Sequence, residues 1–204
     1  MEKNNHGFVP RQEIIIGGIP FTIIQTEEDW VECISSKCIE RRAFDERNRP
    51  DFSASSLMEY LNGEFLHRLI KAGAPKELFG YVVMNLTADD GLNKYGEIAT
   101  VIGLITCEQY RRLRDNIPAL PDEWWWTGTP HSPKNKLVRI VCFDGSLGER
   151  CASERVMGIR PLCILKSEIL RFYIDRDEQK RGQMVDTVKN IVETYGIRPE
   201  EIFR

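Results

Sequence analysis

Apolar residues recur along this chain in two distinct ways, and the change from one to the other separates a strand-rich body from a helical tail. Glu13-Ile14-Ile15-Ile16, the pair Gly17-Gly18 and Ile19-Pro20-Phe21-Thr22-Ile23-Ile24-Gln25 read as a β-hairpin closed by a glycine turn. A third strand is expected from Trp30 to Ser35. Ser56-Leu57-Met58-Glu59 has the form of a capping box, and Met58, Leu61, Phe65 and Leu69 step at helical spacing. Asn62-Gly63 is read as splitting that region into two short helices, and Gly73 as ending it. Tyr81 to Leu86 and Val101 to Ile105 read as buried strands, and Thr106-Cys107-Glu108-Gln109 caps a short helix through Arg114. Lys136 to Phe143 is a predicted strand, Asp144-Gly145 a turn, and Val156 to Leu165 another strand.

The tail follows the other period. Met184, Val185, Val188, Ile191, Val192 and Tyr195 fall at i, i+1, i+4, i+7, i+8 and i+11, one face of an amphipathic helix from about Asp177 to Tyr195. Pro199 is expected to open a last turn ending in Ile202-Phe203. The apolar stripe needs cover, either from the protein's own sheet, the favoured reading, or from a second copy of the chain in a homodimer. Strands with interspersed short helices and a helical end give the α+β class, mostly antiparallel.

Between these parts stands Trp124-Trp125-Trp126, three of the four tryptophans in the chain. A strand sends Trp124 and Trp126 to one face and Trp125 to the other, so both faces need cover and the strand belongs at the centre of a domain. Pro118 and Pro121 make a stiff approach to it. Trp125 and Trp126 are assigned to structure. Trp124, following Pro121-Asp122-Glu123 at the mouth of the strand, is assigned to binding.

Composition narrows the function classes. With 204 residues and 42% hydrophobic content the chain can build its own core, and a formal charge of −3 gives no global field toward nucleic acid or anionic lipid. No direct nucleic-acid ligand is expected. The first residues lead into no signal-like apolar run, and no segment has the length and apolarity to span a bilayer. Cys33, Cys38, Cys107, Cys142, Cys151 and Cys163 are dispersed, mostly in apolar strand-like surroundings, which with the missing leader points to a reducing cytoplasm. Cys33-x4-Cys38 and Cys142-x8-Cys151 are wider than the pairs of structural zinc sites, so the cysteines are expected to be reduced and metal-free. His6, His67 and His131 form no metal-binding spacing, and no P-loop, G-x-G-x-x-G or G-x-S-x-G occurs. No cofactor and no catalytic residue is expected.

Arg41, Arg42, Arg47 and Arg49 lie with Asp45, Glu46 and Asp51 in a dense mixed-charge stretch read as a solvated loop. Its arginines suit an acidic partner or phosphates, as do Arg111 and Arg112 beside Arg114.

Trp125-Trp126-Thr127-Gly128-Thr129-Pro130, the later Gly158-Ile159-Arg160-Pro161-Leu162-Cys163 and the upstream Leu61-Asn62 together resemble a family of uncharacterised domains common in Firmicutes and their prophages. Its members carry W-W-L-R-S-P, then G-V-R-P-A-L, after a helix with L-N near its middle. The resemblance spans about residues 12–166 and gives Gly158, Arg160 and Pro161 structural roles. That family looks like a branch of the C-type-lectin-like fold, which implies a twisted antiparallel sheet, two flanking helices and long loops presenting a variable surface. Thr127-Gly128 replaces Leu-Arg, and the tail from Ser167 lies outside the match. The calcium motifs of sugar-binding lectins are absent. The expected organisation is an extension over 1–11, a C-type-lectin-like domain over 12–166 and a helical appendage over 167–204.

These observations support a non-catalytic cytoplasmic module that binds a protein, of phage or prophage origin, one form of which is an inhibitor of a bacterial defence system. The alternatives are a structural or receptor-binding component of a phage tail and a cysteine- or metal-dependent enzyme of the formylglycine-generating type.

Overall fold

The computed structural model describes the backbone of residues 7–195 and the side chains of these except 181, 188 and 191–195. Strand β1 (Glu13–Ile16) turns back into β2 (Ile19–Thr26) through Gly17 and Gly18, at φ +56° and +80°. Both are left-handed, as a two-residue turn matched to strand twist requires. β2 pairs antiparallel with β3 (Trp30–Ser35), across an irregularity between Ile23 and Gln25. The hairpin and third strand are where the alternation places them.

The charged stretch that follows is a correction to the solvated loop. Ala43, Phe44 and Asp45 are buried, because Phe44 packs against Phe52 and against the edge of Trp126, with ring centroids 6.0 and 5.7 Å apart. Arg41, Arg42, Glu46 and Arg47 face solvent.

Helix α1 (Ser56–Tyr60) is capped by Ser55, one residue before the predicted cap, and Ser55 Oγ accepts from the Met58 amide. Asn62-Gly63 does not split the region. The helix runs on through a π turn (Leu61–Phe65) into α2 (Leu66–Lys71) and ends at Gly73, φ +104°. The Asn62 side chain explains the widened turn: Nδ2 donates to the carbonyls of Met58 and Ile102, and Oδ1 accepts from the amides of Val101 and Ile102.

β4 (Val82–Asn85) pairs with β5 (Glu97–Thr100), a strand the sequence reading missed. β4 is not fully buried: Val82 and Met84 face the core while Val83 and the preceding Tyr81 face solvent. Of the strand expected over Val101 to Ile105, only Ile102–Gly103 forms, as β6. Helix α3 (Cys107–Leu113) begins with the predicted box, Thr106 Oγ1 accepting from the Gln109 amide and Gln109 Oε1 from the Thr106 amide.

β7 (Trp125–Pro130), β8 (Leu137–Val141) and β9 (Leu147–Cys151) form a three-stranded antiparallel sheet. β9 was not foreseen, since its residues are only half-covered and show no apolar run. β10 (Leu162–Lys166) is shorter than expected and enters the other sheet, whose order is β1-β2-β3-β10-β6. The residues just before it, Gly158 to Pro161, form a seam between the sheets. Gly158 exchanges backbone hydrogen bonds with Trp124 and Trp126, Ile159 with Ile39 and Glu40, and Pro161 accepts from Ser35. The class is α+β with antiparallel sheets.

Helix α4 (Ser167–Tyr195) starts ten residues before the expected point. Its first turns bury Leu170 and Tyr173 in the core, where the buried Phe8 also lies, and the Tyr173 hydroxyl oxygen accepts from the Gly17 amide at 3.1 Å. Farther along, Met184 is 68% exposed and Val185 52%, so these two positions do not rest on the protein's own sheet. The expected turn over Pro199–Phe203 lies outside the described residues.

Candidate interaction site

The three tryptophans have different surroundings. Trp126 is fully buried, its indole N–H donating to the Arg42 carbonyl at 2.9 Å. Trp125 is buried on the opposite face of β7, edge-on to Tyr110 at 5.8 Å and 82°. Trp124, just outside the strand, is half-buried and lies parallel to Phe143, with centroids 6.2 Å apart and 12° between planes. The Arg150 guanidinium lies 4.4 Å from the Trp124 ring centroid. Phe143 is 54% exposed, so the stack opens to solvent.

Three segments hold this face in place. Asn116 Nδ2 donates to the Ile24 carbonyl at 2.9 Å, which fixes the Arg114–Asn116 turn after α3. Arg160 donates to the carbonyls of Ser35, Ser36 and Pro118, and its guanidinium lies 4.9 Å from the Trp125 centroid. The β8–β9 turn is closed by Asp144 Oδ1, which accepts from both the amide and the hydroxyl of Ser146, and by Gly145 at φ +78°. Tyr110 donates its hydroxyl proton to the Gly145 carbonyl at 2.9 Å. Between these segments, beneath Phe143, is a cavity of about 150 Å³ walled by Tyr110, Leu120 and Trp125 with Arg114 and Asp144 at its mouth.

Arg160 is a buried cation facing backbone carbonyls instead of a carboxylate. Burial lowers its pKa from the ordinary arginine value to about 10, so it stays charged at neutral pH. Gly158 is required by contact, since a Cβ there would overlap Cys38 Sγ. The Thr127-Gly128 departure also has a local reason. Thr127 donates to the Arg139 carbonyl, and Met84 Cε occupies the space a Cβ on Gly128 would need.

The arginines assigned to binding do not converge. Arg41 pairs with Glu123 at 3.1 Å, which places it beside the platform. Arg42 pairs with Glu40 and covers the Tyr60 ring, Arg47 faces Glu59 at 3.7 Å, and Arg49 pairs with Asp45 at 2.9 Å. Arg111 pairs with Asp89 at 2.9 Å in a different region, while Arg112 faces the buried Glu32, whose pKa burial raises against the pull of Arg112 and a hydrogen bond from Gln109. For Asp45, burial pushes the pKa up, but the Arg49 side chain and the amides of Ser56 and Arg49 outweigh it and hold the carboxyl below its usual value. These arginines are largely spent within the chain.

Phe143, Tyr110 and Arg150 were missed as site residues, and Arg114 was named only as a neighbour of Arg111 and Arg112. The available signal was the Asp144-Gly145 turn, which leaves Phe143 at the tip of a hairpin instead of inside a strand.

Burial raises the thiol pKa of Cys107 and Cys163, and burial with the Glu123 charge raises that of Cys38 to about 11. Cys107 Sγ contacts Thr127 Oγ1 beside a second cavity of about 310 Å³, where Arg111 and Arg139 neutralise Asp89. Among the described residues there is no cluster of three metal-ligating side chains, and no helix is long and apolar enough to cross a membrane.

Residues 91–167 match a domain of unknown function, DUF6273. The matched stretch runs from the loop before β5 to the start of α4, so it contains the tryptophan block, the seam and the cavity. This is consistent with an uncharacterised domain family. No curated protein and no solved structure matches the chain.

Proposed function

We propose that this protein is a non-catalytic binding module whose Trp124–Phe143 face engages a protein partner. The observation that carries the reading is the stacked, solvent-open pair of rings beside a cavity, on loops tied down by Arg160, Asn116 and Asp144. Aromatic side chains with one covered and one open side, held rigid before contact, are the usual anchors of protein interfaces. The resemblance to C-type-lectin-like domains belongs to this proposal, because it assigns loops on an antiparallel sheet to display. A cytoplasmic phage or prophage protein that inhibits a bacterial defence system is the form we favour.

The test is retention of a partner from an extract of the organism that carries the gene, using the full chain as bait. A specific protein should be retained by the native chain and by Arg47→Ala, and lost from Trp124→Ala/Phe143→Ser. Identical retention by all three would reject this face as the interface.

A second reading, an assembling structural component, is favoured by one observation. Met184 and Val185 lie eleven residues beyond Tyr173 and Ile174, so three helical turns put them on the face that α4 packs into the core at its root, yet they are exposed. A homodimer through α4 would cover that face. A monomeric mass by light scattering at high concentration would remove this reading.

A further inference from the structure

The cavity beneath Phe143 has a size and a rim that specify what enters it. Its volume, about 150 Å³, is enough for a benzene ring, and its lining is in equal parts polar and apolar. Trp125 and Tyr110, packed edge-to-face, line it together with Leu120 and Ile117, which gives it an apolar part. The mouth carries a charge. Arg114 lies with its guanidinium 5.7 Å from the Tyr110 centroid and close to Gly145, and among the described residues no carboxylate lies within ion-pair distance of it. That sets it apart from Arg41, Arg49, Arg111 and Arg139, each paired inside the chain. Asp144 shares the rim, but its Oδ1 is held by two donors from Ser146, which ties it to the turn.

We propose that this cavity is an anchor pocket for an aromatic side chain of the partner, with an adjacent carboxylate of the same partner segment bound by Arg114. The inference rests on the protein-binding reading above and names the chemistry of its partner: an exposed acidic–aromatic segment. The ring fills the walls, and the carboxylate supplies the acceptor that the free guanidinium lacks. Asp144 sets the polarity of the mouth, disfavouring a carboxylate on its own side. An aromatic residue next to a lysine would leave Arg114 unpaired and bring two cations together, so it is rejected.

The experiment uses the full chain and three probes, phenylacetate, benzyl alcohol and phenethylamine, followed by shifts of the Gly145 amide and Trp125 indole resonances. Phenylacetate should shift both and bind more tightly than the other two. Arg114→Gln, at an exposed position, should weaken phenylacetate about ten-fold, the effect of losing one charge-assisted hydrogen bond, and leave benzyl alcohol unchanged. Asp144→Asn should strengthen phenylacetate. Equal affinity for phenylacetate and phenethylamine, or an Arg114→Gln protein that binds phenylacetate as the native chain does, would overturn the assignment. Phenylacetate should also displace the partner retained by the native chain. Binding without displacement would make the pocket a site for a free aromatic acid and end the anchor proposal. Because the probes need no partner, their failure is separate from a failure of the Trp124→Ala/Phe143→Ser retention test.

Discussion

Trp126 and Trp124 are two residues apart, yet one is fully buried with its N–H satisfied by a backbone carbonyl and the other stacks at the surface with Phe143. Gly158 bonds to the backbone of both, so the difference is made by where the β7–β8 ladder begins. At Trp126 the backbone N–H donates to the Gly158 carbonyl and the residue stands opposite Ile140 of β8, so its side chain is sealed between layers. At Trp124 the ladder to β8 has not begun, and the turn after Val141 swings Phe143 across the ring instead of down a strand. Identical residues thus serve the core and the surface according to where pairing starts. The same contrast divides the arginines: Arg160 is wholly committed to three carbonyls beneath the pocket, while Arg114 stands at its mouth without a carboxylate.

The contrast breaks first at the seam. Trp126→Ala should destabilise the protein by about 3–5 kcal/mol, the range for removing a large buried aromatic, read from urea unfolding. A loss below about 1 kcal/mol would mean that the seam does not close over this ring. Arg160→Met should lose about 3 kcal/mol, since it leaves buried carbonyls without donors, each an uncompensated group of about 1–3 kcal/mol. It should also release Pro118 and blunt the probe-induced shift at Gly145, tying the buried arginine to the open site. Trp124→Ala, by comparison, should lose only about 0.5–1.5 kcal/mol, the worth of one aromatic pair, while abolishing partner retention. Stability effects of similar size at Trp124 and Trp126 would erase the distinction between the two regions.

Acid sharpens the comparison from another side. Asp45 has a folded-state pKa below its ordinary value, so its contribution is present above the unfolded carboxylate range and is lost as pH falls through the lowered folded value. The native chain should therefore lose stability as pH drops below about 4, and Asp45→Asn should show a flatter slope there. Matching slopes would show that the Arg49 pair does not hold the loop over Phe44 and Trp126. The smallest effect is expected at α4. Val185→Asp should change stability by less than about 0.5 kcal/mol, as for other exposed positions, and a fall in molecular mass would identify the distal helix as an assembly surface.

Local chemistry was enough for several elements. The glycine pair between two isoleucine-rich runs specifies the first hairpin, because only glycine takes two successive left-handed positions without strain. Thr106 and Gln109 specify the start of α3, because a capping box is a contact within four residues. Strands that alternate or run apolar were legible, whereas β9 was not, since a half-covered strand of Leu, Gly, Glu, Arg and Cys carries no periodic signal. The match of the tryptophan block with Gly158–Pro161 was visible as two motifs, but their hydrogen bonding to each other was not.

The candidate site was largely illegible for the same reason. Its parts come from α3, the turn after it, the start of β7 and the β8–β9 turn, and they are joined by contacts between distant segments, among them Arg160 to the carbonyl of Pro118, forty-two residues away along the chain, and Tyr110 to that of Gly145. Charge density pointed to Arg41, Arg42, Arg47, Arg49, Arg111 and Arg112 ahead of their neighbour Arg114, since a sequence shows a cation without showing the carboxylate that neutralises it. By itself the sequence determined the elements whose stabilising contacts are local and the burial of the block that needs cover on two faces. Tertiary structure decided what Trp124 stacks on, which arginine stays unpaired and where a cavity remains, because each depends on distant segments meeting in space.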